Sequence, residues 1–345
     1  CMLPLLAPLA ARAAGEGDPV RVLLLETPSA VQVAGMKLAP DAGGLLAEDG
    51  RALGPRWRVR GSGPHRIEDL EVRGSLEVER TERGLRVVNR VPLEDYVVGT
   101  LGSELYPGWE KETYKAQAVL VRTFALYQRA RRAGTPFDVS ADTGDQVYRG
   151  VGAETSAARA AGAATRGELL TFRGAPILAA FHSSSGGRTA SAEEVWGESL
   201  PYLLSRPVDG EEDSPDAYWR ASIAGTTLGR AVDPLGLRLG VVRELLVAER
   251  SASGRARRVR LRGTQGSGEV DARTLRSVLG MSVIRSTLFE IRNAGDRFIF
   301  VGSGHGHGVG MSQWGAQAMA KRGASYRDIL EWFFPGTRLV RSDAR

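Results

Sequence analysis

Glu104 stands where the apolar stripe of a helix would continue, and it is the first candidate for chemistry. Apolar side chains recur before it at the three- and four-residue spacing of a buried helix face: Leu93, Tyr96, Val97 and Leu101. A carboxyl group in apolar surroundings resists ionisation, so we expect a raised pKa for Glu104, as a general acid near neutral pH requires. The alternative interpretation is a frayed helix end that lets Glu104 reach water.

Three of the four histidines, His182, His305 and His307, lie in segments rich in serine and glycine. A His-x-His pair places both rings on one side of an extended segment, which suits zinc, and His182 would complete a three-histidine site. Glycine on both sides of the pair equally suits a loop that contacts a polymer without a metal. The glycine run before Met311 lacks the Lys-Ser/Thr ending of a phosphate-binding loop, so we do not expect nucleotide binding.

A run of three serines, Ser183 to Ser185, directly follows His182. Neighbouring residues of a strand point to opposite faces, so this pairing makes a poor nucleophile and base, and no Gly-x-Ser-x-Gly elbow is present. We interpret the serines as a hydrogen-bonding wall for sugar hydroxyls. A second polar cluster has the composition of a carbohydrate subsite, or equally of a solvated turn: Asp142, Asp145, Gln146 and Tyr148.

Composition narrows the classes of protein and partner. The 345 residues are 42% hydrophobic and 25% charged, as in globular proteins, and the net charge of +6 favours anionic partners. Basic residues are not interleaved with stacking aromatics, which argues against nucleic acid. The only cysteine is Cys1, which excludes an intramolecular disulfide. Residues 1–19 are similar to the end of a secretory signal or to a trimmed lipoprotein, so we expect a secreted, periplasmic or envelope-anchored protein.

The pattern of strands and helices predicts an α+β fold. Short strands separated by Gly and Pro fill residues 20–88, and a further strand is predicted over 176–181. Helices are predicted over 92–104, 109–132, 155–166 and 311–321. Asp271 would cap a further short helix, Ser325 would open a capping box, and residues 293–296 would turn a hairpin. We predict one unit over 20–345, with a β-rich lead-in to 88 and a core over 89–345. Arg122 lies one position off the apolar face of its helix, close enough to point toward Glu104 in a helical hairpin. The arginine-rich run 255–262 alternates like the solvent face of a strand.

Several long motifs, in one order between about residues 20 and 339, resemble the SpoIID/LytB family, which is named for stage II sporulation protein D and an amidase modifier. The motifs that carry the resemblance are Val91-Pro-Leu-Glu-Asp-Tyr96, Gly102-Ser-Glu-Leu-Tyr-Pro-Gly-Trp109, Lys115-Ala-Gln-Ala-Val119, Arg122-Thr-Phe-Ala-Leu126, Phe181-His-Ser-Ser-Ser-Gly-Gly-Arg-Thr189, Val195-Trp-Gly197, Pro201-Tyr-Leu203 and Gly306-His-Gly-Val-Gly-Met-Ser-Gln-Trp-Gly-Ala316.

The resemblance implies a peptidoglycan lytic transglycosylase, which cleaves between N-acetylmuramic acid and N-acetylglucosamine and leaves a 1,6-anhydro end. It implies Glu104 as the catalytic acid and Arg122 as a second functional residue. Because an Arg122 too close to the acid would lower its pKa, we expect Arg122 to face the substrate or to stand behind the carboxylate. Other residues would line a glycan-binding cleft between the β-rich lobes and the helices: Gln146, Tyr148, His182, Ser183, Ser184, Tyr202, His307, Gln313 and Trp314.

The resemblance also bears on cofactors and partners. Metal-containing relatives carry Cys and His just before the Gln-x-Tyr motif, where this chain has Ser140, Gly144 and Asp145, so we expect no metal and no cofactor. Expected partners are peptidoglycan glycan strands stripped of stem peptides, a cell-wall amidase and membrane-anchored wall-remodelling proteins, with no nucleic acid. A sporulation role is implied by the family name. The alternative function is a non-catalytic wall-binding protein that stimulates an amidase.

Overall fold

A computed structural model describes residues 19–342, which combine helices with several sheets. The prediction of an α+β fold is confirmed. The signal-like or lipoprotein-like segment predicted over residues 1–19 lies almost wholly outside the described residues. Among residues 19–342, no helix has both the length and the apolar character needed to cross a membrane.

Strands account for most of the regular structure between residues 19 and 342. They are β1 (Val20–Thr27), β2 (Val31–Val33), β3 (Met36–Asp41), β4 (Gly44–Ala47), β5 (Arg56–Val59), β6 (His65–Ile67), β7 (Leu70–Val72), β8 (Ser75–Thr81), β9 (Gly84–Val91), β10 (Val139–Ser140), β11 (Glu168–Phe172), β12 (Ala175–Pro176), β13 (Phe181–His182), β14 (Trp219–Ala224), β15 (Val242–Arg250), β16 (Ala256–Gly263), β17 (Ser267–Asp271), β18 (Phe289–Ala294), β19 (Arg297–Gly302), β20 (Met311–Ser312) and β21 (Arg338–Arg341).

The α-helices of the same residues are α1 (Leu93–Glu104), α2 (Lys111–Arg131), α3 (Ser156–Ala164), α4 (Ala192–Trp196), α5 (Gly225–Val232), α6 (Ala272–Leu279), α7 (Gln313–Lys321) and α8 (Tyr326–Phe333). Short 3₁₀ turns occur at Gly150–Ala153 and Asp233–Leu235. The four helices whose limits were predicted from sequence lie within one or two residues of those limits.

The described residues form two compact units, 19–179 with 338–342 and 180–337. This division differs from the single unit with a boundary near residue 88 that the sequence suggested. The predicted lead-in is not separate, because β1 pairs antiparallel with β9 and parallel with β10. The strand predicted over 176–181 is interrupted: Ala175–Pro176 pairs with β11, whereas Phe181–His182 pairs with β20 in the second unit.

In the first unit, two five-stranded sheets run in the orders β10-β1-β9-β8-β5 and β4-β3-β2-β6-β7, and β12-β11-β21 form a third sheet. Helices α1, α2 and α3 pack on one another. The predicted apolar stripe of α1 is buried, with Tyr96, Val97 and Leu101 fully shielded from solvent. The buried stripe turns one face of α1 into the core, and the candidate acid Glu104 stands at the end of this helix.

The second unit contains the sheets β14-β19-β18 and β15-β16-β17 and the short parallel pair β13-β20. Its core is built around buried aromatic and aliphatic side chains that include Phe298, Phe300 and Leu261. The predicted helix starts are confirmed where local side chains cap them. Asp271 caps α6, and Ser325 caps α8 through a full capping box.

Candidate active site

Glu104 is the last residue of α1, and it is neither fully buried nor fully exposed. Its Oε1 atom accepts a hydrogen bond of 2.8 Å from the backbone N–H of Val147. Of the apolar residues that follow it in sequence, Leu105 is buried but Tyr106 is 51% exposed. The dry apolar pocket predicted for Glu104 is therefore only partly formed, and the residue keeps access to solvent.

The Gln146-Val147-Tyr148 segment positions Glu104 from the opposite side. Gln146 and Tyr148 are each 1% exposed, and their role in glycan binding stays a prediction. The Tyr96 hydroxyl donates to Gln146 Oε1 at 2.8 Å, and the Tyr148 hydroxyl donates to Asn89 Oδ1 at 3.1 Å. Burial raises the pKa of both tyrosines, so both remain donors. These contacts fix the backbone that presents the Val147 N–H.

Two glycines on one face of α1 allow this segment to approach the helix. A Cβ atom on Gly102 would lie 2.1 Å from the Ala153 carbonyl oxygen, and one on Gly99 would lie 2.8 Å from the Tyr148 ring. Any larger residue there would push the segment outward and displace Val147. The Gly-x-x-Gly spacing is the sequence signal that could have indicated this close packing.

A buried carboxylate anchors the start of the same segment. The Asp145 side chain is 3% exposed and accepts hydrogen bonds from Arg132 at 2.7 Å and from the Ser140 backbone N–H at 2.7 Å. Gln128 Nε2 donates to it at 3.1 Å. Ser140 and Asp145 stand where the resemblance places metal ligands in other family members. In this chain an aspartate–arginine cluster holds the segment together.

Arg122 does not contact Glu104, which corrects the position predicted for its side chain. Its side chain is fully buried and forms a bidentate ion pair with Glu94, at 2.7 Å from Nε and 2.6 Å from Nη2. Its Nη1 atom donates to the Glu168 carbonyl oxygen at 3.0 Å. Glu94 lies in the first turn of α1, so about 15 Å of helix separates it from Glu104. Arg122 therefore ties the start of α1 to α2 and β11.

The second unit carries the remaining predicted glycan-binding residues: His182, Ser183, Ser184, Tyr202, His307, Gln313 and Trp314. His182, Ser184, Tyr202 and Gln313 are buried, whereas the other three are partly exposed. Within residues 19–342, His182 Nε2, Ser184 Oγ and Gln313 Nε2 are buried without a hydrogen-bond partner. Each such group costs about 1–3 kcal/mol, so native proteins rarely keep several together unless they serve a polar ligand or water.

The rings of His182 and His307 are neutral and in contact. His182 Nδ1 donates to the Val309 carbonyl oxygen at 3.1 Å, so the neutral ring carries its lone pair at Nε2. Burial lowers the pKa of His182 well below its ordinary value and lowers that of His307 to about 4. The His307 ring lies 5.5 Å from that of His182 and 5.3 Å from that of Trp196.

His305 makes a different set of contacts. Its Nδ1 atom is 2.9 Å from Asp216 Oδ2, and its backbone pairs with that of Ser184. In the part of the chain that the structure describes, no group of three or more His, Cys, Asp and Glu side chains is placed to hold a metal. The three-histidine metal site considered from the sequence is therefore not assembled.

Glu211, which was not among the predicted site residues, organises the serine-rich loop. It is 6% exposed and accepts hydrogen bonds from the Ser185 N–H at 2.7 Å, the Ser185 hydroxyl at 2.7 Å and the Gly187 N–H at 2.8 Å. The Ser312 hydroxyl at the start of α7 also donates to it. Glu211 opens a Glu-Glu-Asp run of the kind that is ordinarily solvated, so no local pattern indicates this role.

We expect acid to destabilise the second unit through His307. Between pH 6.5 and about 4 the unfolded chain binds more protons than the folded one, so stability falls as pH falls through this window. Above pH 6.5 the contribution is fully present. From pH 7 to pH 5 the loss from His307 is about 2 kcal/mol. Urea unfolding at both pH values should show a smaller loss in His307→Asn, and an equal loss in both proteins would contradict this role.

Comparison with known proteins agrees with the motifs. Residues 81–172 match the SpoIID family model, described as Stage II sporulation protein, and residues 219–310 match a model described as Domain of unknown function (DUF8618). Stage II sporulation protein D of Bacillus subtilis (strain 168) is 31% identical over 286 residues, which cover 78% of this chain and 80% of that protein. This chain belongs to the SpoIID family.

Two other relatives widen the comparison. An uncharacterised protein of Brachyspira hyodysenteriae is 31% identical over 277 residues, which cover 79% of this chain and 73% of that protein. The Amidase enhancer of Bacillus subtilis (strain 168) is 27% identical over 290 residues, which cover 70% of this chain but 40% of that longer protein.

Proposed function

We propose that this protein is an extracytoplasmic peptidoglycan lytic transglycosylase in which Glu104 serves first as acid and then as base. The observation that carries the proposal is the Glu104 carboxyl group itself. It lies at a helix end, keeps access to solvent, and has one oxygen fixed by the Val147 N–H at 2.8 Å. Fixing the group in this way reduces the cost of orienting it toward a bound sugar.

The reaction needs one carboxyl group rather than the pair that ordinary glycosidases use. Glu104 gives its proton to the glycosidic oxygen as the bond from that oxygen to the anomeric carbon of N-acetylmuramic acid breaks. The C6 hydroxyl of the same sugar forms the new bond to the anomeric carbon. The hydroxyl proton passes to Glu104, which restores the acid, and no water is consumed.

The second unit would contribute to glycan binding. Sugars present hydroxyl and acetamide groups that both donate and accept hydrogen bonds. His182 Nε2 offers a lone pair, Ser184 Oγ can donate or accept, and Gln313 Nε2 is a donor. These three buried groups therefore suit a saccharide better than a charged or apolar ligand.

A second candidate function follows from the relative named Amidase enhancer, which matches 70% of this chain. Under that function the protein binds the wall and stimulates a partner amidase without cleaving glycan. The same surfaces would bind peptidoglycan, but Glu104 would have no part in chemistry.

Product analysis distinguishes these functions. Purified protein is incubated with peptide-free glycan strands and, separately, with intact peptidoglycan, and the products are analysed by mass. We expect new 1,6-anhydro ends, each lighter by one water than the reducing end that a hydrolase leaves. Reducing ends or uncut strands would overturn the proposal. Uncut strands together with faster hydrolysis by an added cell-wall amidase would favour the enhancer function.

A further inference from the structure

A polar cavity in the second unit is lined by none of the residues assigned above to glycan binding. Its volume is about 200 Å³, smaller than the roughly 300–1,000 Å³ of sites for drug-sized molecules. The cavity therefore suits one compact unit, such as a single sugar ring, better than a peptide. One side is formed by α4 and the other by residues of the 219–310 segment, which matches a domain of unknown function.

Trp196 gives the cavity an aromatic surface. It is the last residue of α4, and Gly197, at a φ of 75°, ends the helix directly after it. The indole is 38% exposed although it packs against the His307 ring at 5.3 Å. A partly exposed aromatic ring that packs against a second ring offers a large, rigid surface that loses little conformational freedom when a ligand stacks on it.

The charged side chains that line the cavity have a formal net charge of zero. Three acids, Glu193, Glu194 and Asp271, and three arginines, Arg255, Arg257 and Arg273, line the cavity. This balance disfavours both a strongly anionic and a strongly cationic ligand. Carboxylate and guanidinium groups form paired hydrogen bonds, which match the adjacent hydroxyls of a sugar ring.

Arg255 stiffens the base of the cavity. It is 3% exposed, and its Nη2 atom donates to the Ser185 carbonyl oxygen at 2.8 Å and to that of Arg188 at 3.2 Å. A Cβ atom at Gly308 would come within 2.3 Å of this guanidinium, and the φ of 84° at that position also favours glycine. The base is therefore built before any ligand arrives, which lowers the entropic cost of binding.

We propose that this cavity is a sugar subsite that binds one neutral N-acetylated hexosamine unit of a glycan. Trp196 stacks on the sugar ring, while Glu193 and Arg257 bind its hydroxyl and acetamide groups. Val195 and Ala256, which also line the cavity, provide an apolar surface for the acetyl methyl group. In taking a glycan as the ligand, the inference rests on the proposed function.

Binding can be measured separately from cleavage. An N-acetylglucosamine tetramer is titrated into the full chain carrying Glu104→Gln. Its binding is measured by calorimetry and by tryptophan fluorescence. Adding Trp196→Ala should weaken binding about tenfold, as the loss of one stacked ring predicts. Trp196→Phe keeps an aromatic surface and should retain most of the affinity, and Arg257→Gln should weaken binding several-fold.

Arg258→Gln is the matched control. Arg257 and Arg258 are neighbours on β16, their side chains are 52% and 54% exposed, and each pairs with a glutamate, but only Arg257 lines the cavity. We expect Arg258→Gln to bind like its parent. Equal losses of tetramer affinity in Arg257→Gln and Arg258→Gln would mean that only the overall charge matters, and would overturn the proposal. So would undetectable tetramer binding, or unchanged binding by a Trp196→Ala variant that melts like its parent.

The two proposals fail in different ways. If wild-type protein leaves glycan strands uncut but binds the tetramer through Trp196, the enzymatic proposal fails and the subsite stands. If strands are cut to anhydro products while the Trp196 variants bind and cleave like wild type, the enzymatic proposal stands and the subsite fails.

Discussion

We expect Glu104→Gln to lower the rate of glycan-strand cleavage by about 10²–10⁴-fold, the range typical of general acid–base catalysis. Glutamine has nearly the same size and keeps an oxygen that can accept the Val147 N–H. It cannot supply an acidic proton to the leaving oxygen or take one from the C6 hydroxyl. Release of anhydro ends over time, quantified by mass, measures the loss, and tetramer affinity should stay unchanged because the exchange leaves the binding groups in place.

Glu110→Gln provides a control on the same stretch of chain. Glu110 is an exposed carboxylate six residues further on, at the start of α2, and its side chain does not cap that helix. Cleavage by this variant should match wild type. Cleavage by Glu104→Gln at more than about a tenth of the wild-type rate would remove Glu104 from the chemistry.

The parts of the fold that sequence patterns predicted are those fixed by neighbours along the chain. The stripe of α1 repeats every three or four residues, and the caps at Asp271 and Ser325 act over two or three positions. The hairpin at Asn293–Asp296 likewise forms as predicted, between β18 and β19. Local periodicity and capping chemistry determine these features, so a single sequence suffices to find them.

The parts that sequence patterns missed depend on partners far along the chain. Arg122 pairs with Glu94, 28 residues away, because the first turn of α1 rather than its last lies beside Arg122. Gln146 and Tyr148 have the composition of a sugar subsite, yet that composition serves equally well for a buried hydrogen-bonded segment. Arg255 begins a run predicted to face solvent but is buried beneath the Trp196 cavity.

Each unit uses a buried carboxylate to organise a loop with candidate functional groups. Asp145 accepts hydrogen bonds from Arg132 and Ser140 in the first unit, and Glu211 accepts them from Ser185 and Gly187 in the second. Hydrogen bonds to a charged acceptor are stronger than those between neutral groups, so one carboxylate can hold several loop donors at once. Such anchors look like ordinary surface acids in a sequence, because only the fold shows that they are enclosed.

The ion pair between Arg122 and Glu94 supports a second prediction with a large effect. Glu94→Ala leaves the fully buried Arg122 guanidinium without its partner, and we expect the first unit to lose about 3–5 kcal/mol of unfolding free energy. Replacing both members with neutral side chains, in Arg122→Met with Glu94→Gln, removes the buried charge as well. The double variant should therefore recover most of that stability, as urea unfolding of the purified proteins would show.

Activity in the same variants separates a structural Arg122 from a catalytic one. If Arg122 acts only by holding α1 in place, the double variant should cleave glycan strands at nearly the wild-type rate per folded molecule. If Arg122 takes part in the reaction, the double variant should be stable yet inactive. The guanidinium is fully shielded from solvent and engages Glu94 with two nitrogens, while the acid it was expected to assist lies at the other end of the helix. Stable and active protein is the outcome that this geometry predicts.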